Sequence, residues 1–408
     1  MIVGGIKLTK NIAQDNAVNI INNNDYVLLS WATGVGKSLA FIKYQEQFNP
    51  NGLTYIIVSE INHIQNWKEE YIKYNKEYLL KNTKIFCYAS LKKYQNNNPS
   101  LVCLDEAHHS LSDLRIQYLT SLSFNKIVAL TATLTNEQKQ TLNSIFGHTF
   151  VEFNITLDNA INNDIIKTPT VYLIPLELNY YQNNIYYEEL RGKKEERIVI
   201  EDDIKNRFKY LDRKKYKNVH LKFKCSEQKA YNEICNNIEY LKTRYYNNKT
   251  DYFRNMWLNE CSKRKIFLGE LKTPYIKKLF TLLENKRYIC STISIKQANE
   301  LGDNNTIIHS KIDEKINSKI ISNFNNKVID KIITVNKLQE GQNLNHIDAA
   351  IITQLDSKDR SFIQKTGRAL RSENPEIYIL YYKNTRDEEF LQSVFDNINP
   401  EYIKILKI

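Results

Sequence analysis

The chain has 408 residues, 42% hydrophobic and 25% charged, too long for one ordinary core and suited to two domains with an accessory segment. Lys and Arg number 57 against 46 Asp and Glu, a formal net charge of +11, which favours a polyanionic partner without identifying one. Six cysteines, Cys87, Cys103, Cys225, Cys235, Cys261 and Cys290, form no C-x-x-C pair and read as reduced, mostly buried thiols, which argues against a disulfide scaffold. Met1 to Lys7 lacks a signal-peptide h-region, and no apolar stretch is long enough to cross a bilayer, so the expectation is an intracellular, cytoplasmic protein with no membrane partner.

In chain order, the first strand-like run is Val27–Leu29. It leads into Ser30-Trp31-Ala32-Thr33-Gly34-Val35-Gly36-Lys37-Ser38 and then the helical Leu39–Gln45. This is the strand–loop–helix setting of a phosphate loop. Gly34 and Gly36 let successive backbone N–H groups face phosphate oxygens, and the helix start adds partial positive charge. Lys37 is then expected on the β- and γ-phosphates of ATP and the Ser38 hydroxyl on Mg²⁺. The strict pattern has Gly at position 31, where this chain has Trp.

Strand-like runs follow at Tyr55–Val58, Lys84–Cys87, Leu101–Leu104 and Ile127–Leu130, alternating with amphipathic helical stretches, a pattern for a parallel sheet covered by helices. At the end of the Leu101 run stand Asp105 and Glu106, where ligands of open α/β sheets bind. Asp105 suits Mg²⁺ and Glu106 suits an attacking water. An acidic start to a solvated helix explains the two acids, but neither the buried-type strand before them nor the phosphate loop upstream.

Asp105-Glu106-Ala107-His108, together with Thr33-Gly34-Val35-Gly36-Lys37-Ser38, resembles the superfamily-two helicases and translocases of the DEAH/DEAD kind. The rest of the chain supplies segments similar to the family's other motifs, in order. Gln14 resembles the adenine-reading glutamine. Tyr55-Ile56-Ile57-Val58-Ser59 with Gln65-Asn66-Trp67-Lys68-Glu69-Glu70, and Tyr88-Ala89-Ser90-Leu91, resemble backbone-contacting elements. Leu130-Thr131-Ala132-Thr133 is similar to the motif that couples hydrolysis to strand movement. His108 is better explained by this resemblance than by a metal, since the adjacent His108 and His109 are poorly spaced for one site.

Farther on, Tyr288–Ser291 and Ile307-Ile308-His309-Ser310 resemble the opening strands of the second motor domain. Ile332-Ile333-Thr334-Val335 with Glu340-Gly341-Gln342-Asn343-Leu344 resembles its coupling motif, with Asn343 where many relatives carry Asp. Gln364-Lys365-Thr366-Gly367-Arg368-Ala369-Leu370-Arg371 is similar to the family's Gln-x-x-Gly-Arg-x-x-Arg. Arg368 and Arg371 stand one helical turn apart, and opposite Lys37 they would take the arginine-finger role.

The expected fold is α/β: two tandem RecA-like parallel-sheet domains, 1–155 and 271–408, with a linker and mainly helical insertion at 156–270. The insertion has apolar residues at helical spacing in Tyr231–Leu241. Its clusters Arg191-Gly192-Lys193-Lys194, Arg213-Lys214-Lys215 and Lys263-Arg264-Lys265 either line a strand-binding surface or form a solvated face. Asparagine runs at 22–24 and 96–98 read as loops. The lean toward Asn, Lys, Ile and Tyr suits an AT-rich coding genome such as a phage or virus carries.

The resemblance implies a nucleic-acid-stimulated ATPase using ATP and Mg²⁺. Lys37, Asp105, Glu106, Gln364, Arg368 and Arg371 are its expected catalytic residues. Gln14, Thr33, Gly34, Val35, Gly36, Lys37, Ser38, Gly341 and Asn343 are expected to hold the nucleotide, Ser38 and Asp105 the metal. Thr131, Thr133 and His108 are expected to couple hydrolysis to movement, and Ser59, Ser90, Ser310 and Thr334 to grip a strand, with DNA expected over RNA. Three activities fit: a helicase that unwinds or branch-migrates, a duplex translocase of the Swi2/Snf2 kind, and an ATP-gated clamp or sensor. The oligomeric state is open.

Overall fold

The computed structural model describes residues 8–111, 113–132, 134–212, 214–335, 344, 346–355, 372–395 and 399–408. Helix α1 (Lys10–Asn23) is capped by the Thr9 side chain, which accepts from Ile12 N. Six strands then form the first sheet: β1 (Tyr26–Trp31), β2 (Thr54–Val58), β3 (Thr83–Cys87), β4 (Leu101–Leu104), β5 (Lys126–Thr131) and β6 (Val151–Ile155), in the spatial order β3-β2-β4-β5-β1-β6. Every pairing is parallel. β2 and β4 are buried at every position, as expected where helices cover both faces. Helices α2 (Lys37–Phe48), α3 (Ile61–Lys73), α4 (Asp113–Thr120), α5 (Asn136–Phe146) and α6 (Leu157–Asn162) make the connections and the exit.

β7 (Thr170–Leu176) follows. The sequence reading puts this stretch in the linker, but it pairs in parallel with a strand of the second sheet across seven residues. The insertion comes next: β8 (Ile185–Leu190), β9 (Ile198–Asp203) and β10 (Val219–Cys225) form a three-stranded sheet in the order β8-β10-β9. Two long helices, α7 (Glu227–Asn248) and α8 (Asp251–Leu271), pack against each other. The insertion is mainly helical as expected, with a small sheet that the sequence reading does not place.

Helix α9 (Thr273–Leu282) opens the second motor unit. With β7 its sheet contains β11 (Tyr288–Thr292), β12 (Ile307–Ile308), β13 (Lys331–Val335), β14 (Ala349–Ile352), β15 (Glu376–Tyr382) and β16 (Ile403–Ile405), ordered β12-β13-β11-β14-β15-β7-β16 and again all parallel. Helices α10 (Ile295–Leu301) and α11 (Glu314–Asn325) cover it, together with the helix Arg386–Phe395. The expected architecture of two tandem RecA-like sheets is therefore present. One apolar cluster runs from Val27, Leu29 and Ile56 of the first sheet through Ile155 and Ile166 to Val171, Leu173, Ile352 and Ile379 of the second.

Candidate functional site

Because all six strands of the first sheet are parallel, their carboxyl ends share one edge, where ligands of such sheets bind. The phosphate loop leaves β1 there, Asp105 leaves β4, Thr131 ends β5 and Ser59 follows β2. β4 and β1 flank β5, so at about 4.8 Å per strand the loop and the acidic pair stand roughly 10 Å apart, room for a triphosphate tail between them.

The ladder carries the loop's take-off point, since Ala32 N donates to Ile155 O at 2.8 Å. Trp31 is still a strand residue, fully buried and edge-on to Phe153 with ring centroids 5.3 Å apart. That accounts for the departure from Gly at position 31: the side chain enters the core and only the backbone faces the loop. Lys37 Nζ donates to the Trp31 carbonyl at 2.8 Å, which parks the ammonium over the loop.

Gly34 (φ 95°) and Gly36 (φ 101°) are both left-handed, a conformation that disfavours any side chain. At Gly36 a Cβ would also come within 2.5 Å of Gln14 Nε2. Val35 is fully buried and Thr33 and Ser38 are half-buried. Gln14, on α1, is itself buried, its Nε2 3.5 Å from Val35 O. Its Oε1 is buried with no hydrogen-bond partner among the described residues, an acceptor free for an adenine amine.

The acidic pair is held more tightly. Asp105 N donates to Ile57 O at 2.9 Å, which extends the sheet one residue past β4. Asp105 Oδ2 accepts from the indole Nε1 of Trp67 at 2.8 Å and Oδ1 from Glu106 N at 3.1 Å. Tyr88 Oη donates to Asp105 O at 3.1 Å. Burial first, and then the Asp105 charge, push the Tyr88 hydroxyl well above its ordinary range, so it stays a neutral donor. Glu106 adopts φ 47°, an uncommon conformation for a residue other than glycine and one concentrated at functional sites. Its Oε2 lies 3.5 Å from Nδ1 of the buried His108.

The sequence reading puts Trp67 in a backbone-contacting segment and misses its contact with Asp105. Trp67 sits on α3, 3% exposed, with its ring 5.9 Å from Phe41 of α2 and 6.3 Å from Tyr71. One residue thus joins the helix after Ser59, the phosphate-loop helix and the metal-type carboxylate. No motif spacing announces a contact between residues 38 apart.

Ser38 and Asp105 offer hard oxygen donors of the kind Mg²⁺ takes alongside phosphate oxygens and water, so the donor set fits that ion. Among the described residues no three His, Cys, Asp or Glu side chains converge on a metal position. The His108 and His109 rings lie with centroids 4.1 Å apart, tilted by 42°.

Of the expected strand-gripping residues, Ser59 and Ser90 are half-buried and Ser310 is exposed. Thr334 lies in β13, only 3% exposed with its hydroxyl enclosed, so it is a core residue in this conformation and not a surface grip. Ser59 Oγ lies 3.3 Å from His63 Nδ1. Asn62 Nδ2 reaches Glu314 Oε1 at 3.4 Å, so the segments after Ser59 and after Ser310 meet across the two motor units. Thr131 is fully buried. Thr133, Gly341, Asn343, Gln364, Arg368 and Arg371 lie outside the described residues.

Residues 263–373 match the helicase conserved C-terminal domain family. No curated protein matches the chain in sequence. Among solved structures, Saccharomyces cerevisiae Dbp5 bound to RNA and ADP BeF3 is similar at TM-score 0.59 and 11% identity, over 97% of this chain and 89% of that one. A single-substitution variant of Dbp5 with the same ligands gives 0.60 at the same identity and coverage. The Hef helicase domain of Pyrococcus furiosus gives 0.49 and 12% identity over 94% and 97% of the two chains. The chain has a fold of two tandem RecA-like parallel sheets, similar over nearly its whole length to that of Dbp5, and residues 263–373 match the helicase C-terminal domain family.

Proposed function

We propose that the chain is a nucleic-acid-stimulated ATPase that couples hydrolysis to movement along a strand, unwinding or branch-migrating DNA in preference to RNA. The observation that carries this reading is the convergence of the left-handed Gly34–Gly36 loop with Lys37, and of the anchored Asp105–Glu106 pair, on one edge of a parallel sheet. Lys37 leaves the Trp31 carbonyl for the β/γ-phosphates, and Gln14 Oε1 accepts from the adenine amine. Ser38 and Asp105 hold Mg²⁺, which when bound neutralises charge on the phosphates. Glu106 accepts a proton from the attacking water. Arg368 and Arg371 supply positive charge from the second domain as the transition state forms.

Glu106→Gln and Lys37→Ala are each expected to lower turnover by at least about a hundredfold, since a positioned general base contributes ~10²–10⁴, while the melting curve stays that of a folded protein. Near-normal hydrolysis by the Glu106→Gln protein refutes the assignment of the base. Strand affinity is expected to fall with salt and vary little with sequence.

A second reading, duplex translocation of the Swi2/Snf2 kind without strand separation, is permitted by the long α7–α8 hairpin between the motor units. The clamp or sensor reading is disfavoured by the backbone-anchored Asp105 and adjacent Glu106, which a non-hydrolysing protein does not need. ATPase activity across single-stranded DNA, duplex DNA and RNA, beside strand displacement on forked DNA, separates the three. Stimulation with displacement supports the helicase, stimulation by duplex without displacement the translocase, and binding without turnover the clamp.

A further inference from the structure

The helices α7 and α8 form an arm. Its base is packed: Tyr231 of α7 and Leu268 of α8 belong to the second motor unit's core, with Cys235, Phe267 and Leu271 against it. The small sheet covers Ala230, Ile234 and Ile238 of α7. Past Leu241 on α7 and before Glu260 on α8 no side chain joins either core as a buried member. α8 has 21 residues, so the tip stands about 30 Å from its base.

Three exposed tyrosines lie on the outer part of the hairpin, Tyr240 (57%) and Tyr246 (57%) on α7 and Tyr252 (65%) on α8. Tyr245 and Trp257 stack across the hairpin at 5.8 Å and 27°, with the Tyr246 ring 5.5 and 6.2 Å from them, and the Tyr252 ring meets Phe253 at 5.3 Å. Arg244 and Lys249 stand between the three tyrosines in sequence and Arg254 just after, all exposed. Arg244 lies over the Tyr240 and Phe253 rings at 5.8 and 5.3 Å. None of the three cations has a carboxylate partner among the described residues, and Asp251 is the one acidic residue between Tyr240 and Arg254.

Several other basic groups of the insertion are paired with carboxylates. Arg191 pairs with Glu189 at 3.0 Å and Arg207 with Glu189 and Glu233. On the outer face of the small sheet His220 meets Glu188 and Lys222 meets Glu201. Lys263 pairs with Glu260 and donates to Glu188 O. Of the clusters that the sequence offered as a strand-binding surface, Arg191 and Lys263 are tied up in this way while Lys193, Lys214 and Lys215 stay exposed; the tip differs in that its cations are interleaved with aromatic planes.

We propose that the tip of the α7–α8 hairpin is a second nucleic-acid contact, which stacks the bases of an unpaired strand on Tyr240, Tyr246 and Tyr252 and takes its phosphates on Arg244, Lys249 and Arg254. Stacking on aromatic rings with a cationic track is how single strands are held without sequence preference. The inference rests on the motor reading above and adds where the strand goes once it leaves the sheets' carboxyl edges.

The test uses the full chain with two triple variants, Tyr240→Ala/Tyr246→Ala/Tyr252→Ala and Arg244→Glu/Lys249→Glu/Arg254→Glu. The probe is a single-stranded DNA carrying 2-aminopurine, with a blunt duplex for comparison. The tyrosine variant is expected to bind the single strand at least about tenfold more weakly and to lose the stacking-induced change in 2-aminopurine fluorescence, with duplex affinity affected far less. The charge variant is expected to flatten the slope of log affinity against log salt by about 2, at ~0.7 per phosphate contact. Wild-type affinity, fluorescence and slope in both variants, beside a normally stimulated ATPase, overturn the proposal and leave the tip as a surface for a protein partner. A wild-type ATPase that ignores every polynucleotide overturns the motor reading and this inference with it.

Discussion

The indole of Trp67 is the only donor outside the acidic motif that reaches the Asp105 carboxylate among the hydrogen bonds described. A hydrogen bond to a charged acceptor contributes about 1.5–3 kcal/mol. Trp67→Phe keeps the ring packing on Phe41 and removes only the N–H. It is expected to raise the Mg²⁺ concentration for half-maximal hydrolysis by about tenfold, taking 1.4 kcal/mol per decade, with little change in melting temperature. A magnesium titration of ATPase, repeated on binding of a labelled nucleotide, measures this; an unchanged titration means that the sheet alone fixes Asp105. At this scale the sequence was legible where chemistry demands a backbone shape. Gly34 and Gly36 announce left-handed turns, and Asp105 and Glu106 stand directly after a run that is buried on both sides. Trp67 was not legible as a carboxylate's partner, because tertiary folding alone brings the two together. Thr334 shows the opposite failure: a motif-like threonine that β13 turns into the core.

Secondary elements were legible in proportion to how cleanly their apolar period stands out. α7 follows the 3.6-residue period of Tyr231, Ile234, Ile238 and Leu241. β10 carried an equally strict signal of period two, with Val219, Leu221, Phe223 and Cys225 inward, amid so many lysines and tyrosines that the region read as helix and charge. β7 was hidden by Pro175, a residue that argues against an interior strand. The register resolves the conflict. Leu406 N donates to Leu173 O, so alternate residues of β7 face β16, and β16 stops opposite Leu173. Pro175 comes two residues later, beyond the end of that neighbour, where no strand asks for its missing N–H.

The junction of α8 and α9 holds a feature that no pattern announced. Lys272, fully buried, pairs with buried Asp387 at 2.6 Å and donates to Thr353 O, while Gln354 Nε2 donates to the same carboxylate at 2.9 Å. Burial lowers the Lys272 pKa and Asp387 partly restores it. The pair ties the arm's base to the chain just past β14. Removing one member leaves an uncompensated buried charge, which costs about 3–5 kcal/mol, whereas replacing both with apolar residues is often close to neutral. Lys272→Met is expected to lose that much in urea unfolding, and Lys272→Met/Asp387→Leu to recover most of it. A double variant as unstable as the single one means that the polar contacts to Thr353 and Gln354, and not the uncompensated charge, set the cost.

Across the whole molecule, one apolar cluster links the first sheet to the second through Ile155, Ile166, Val171 and Leu173. Ile166 also packs within van der Waals reach of a Cβ built at Gly34, 3.9 Å away, so the exit segment touches the phosphate loop itself. A core shared in this way couples the stability of the two motor units. A ligand that binds only the folded state at a hundred times its dissociation constant adds about 2.7 kcal/mol. If the first unit melted alone, that energy would raise its transition and leave the second where it was. With a shared core, calorimetry is expected to record one endotherm that moves upward as a unit when ATP and Mg²⁺ are added to the Glu106→Gln protein, which holds ATP without consuming it. Lys37→Ala is expected to abolish the shift, because it removes the cation that engages the triphosphate while leaving the shared core intact. Two endotherms, of which only one responds, would show that the cluster is too thin to join the units.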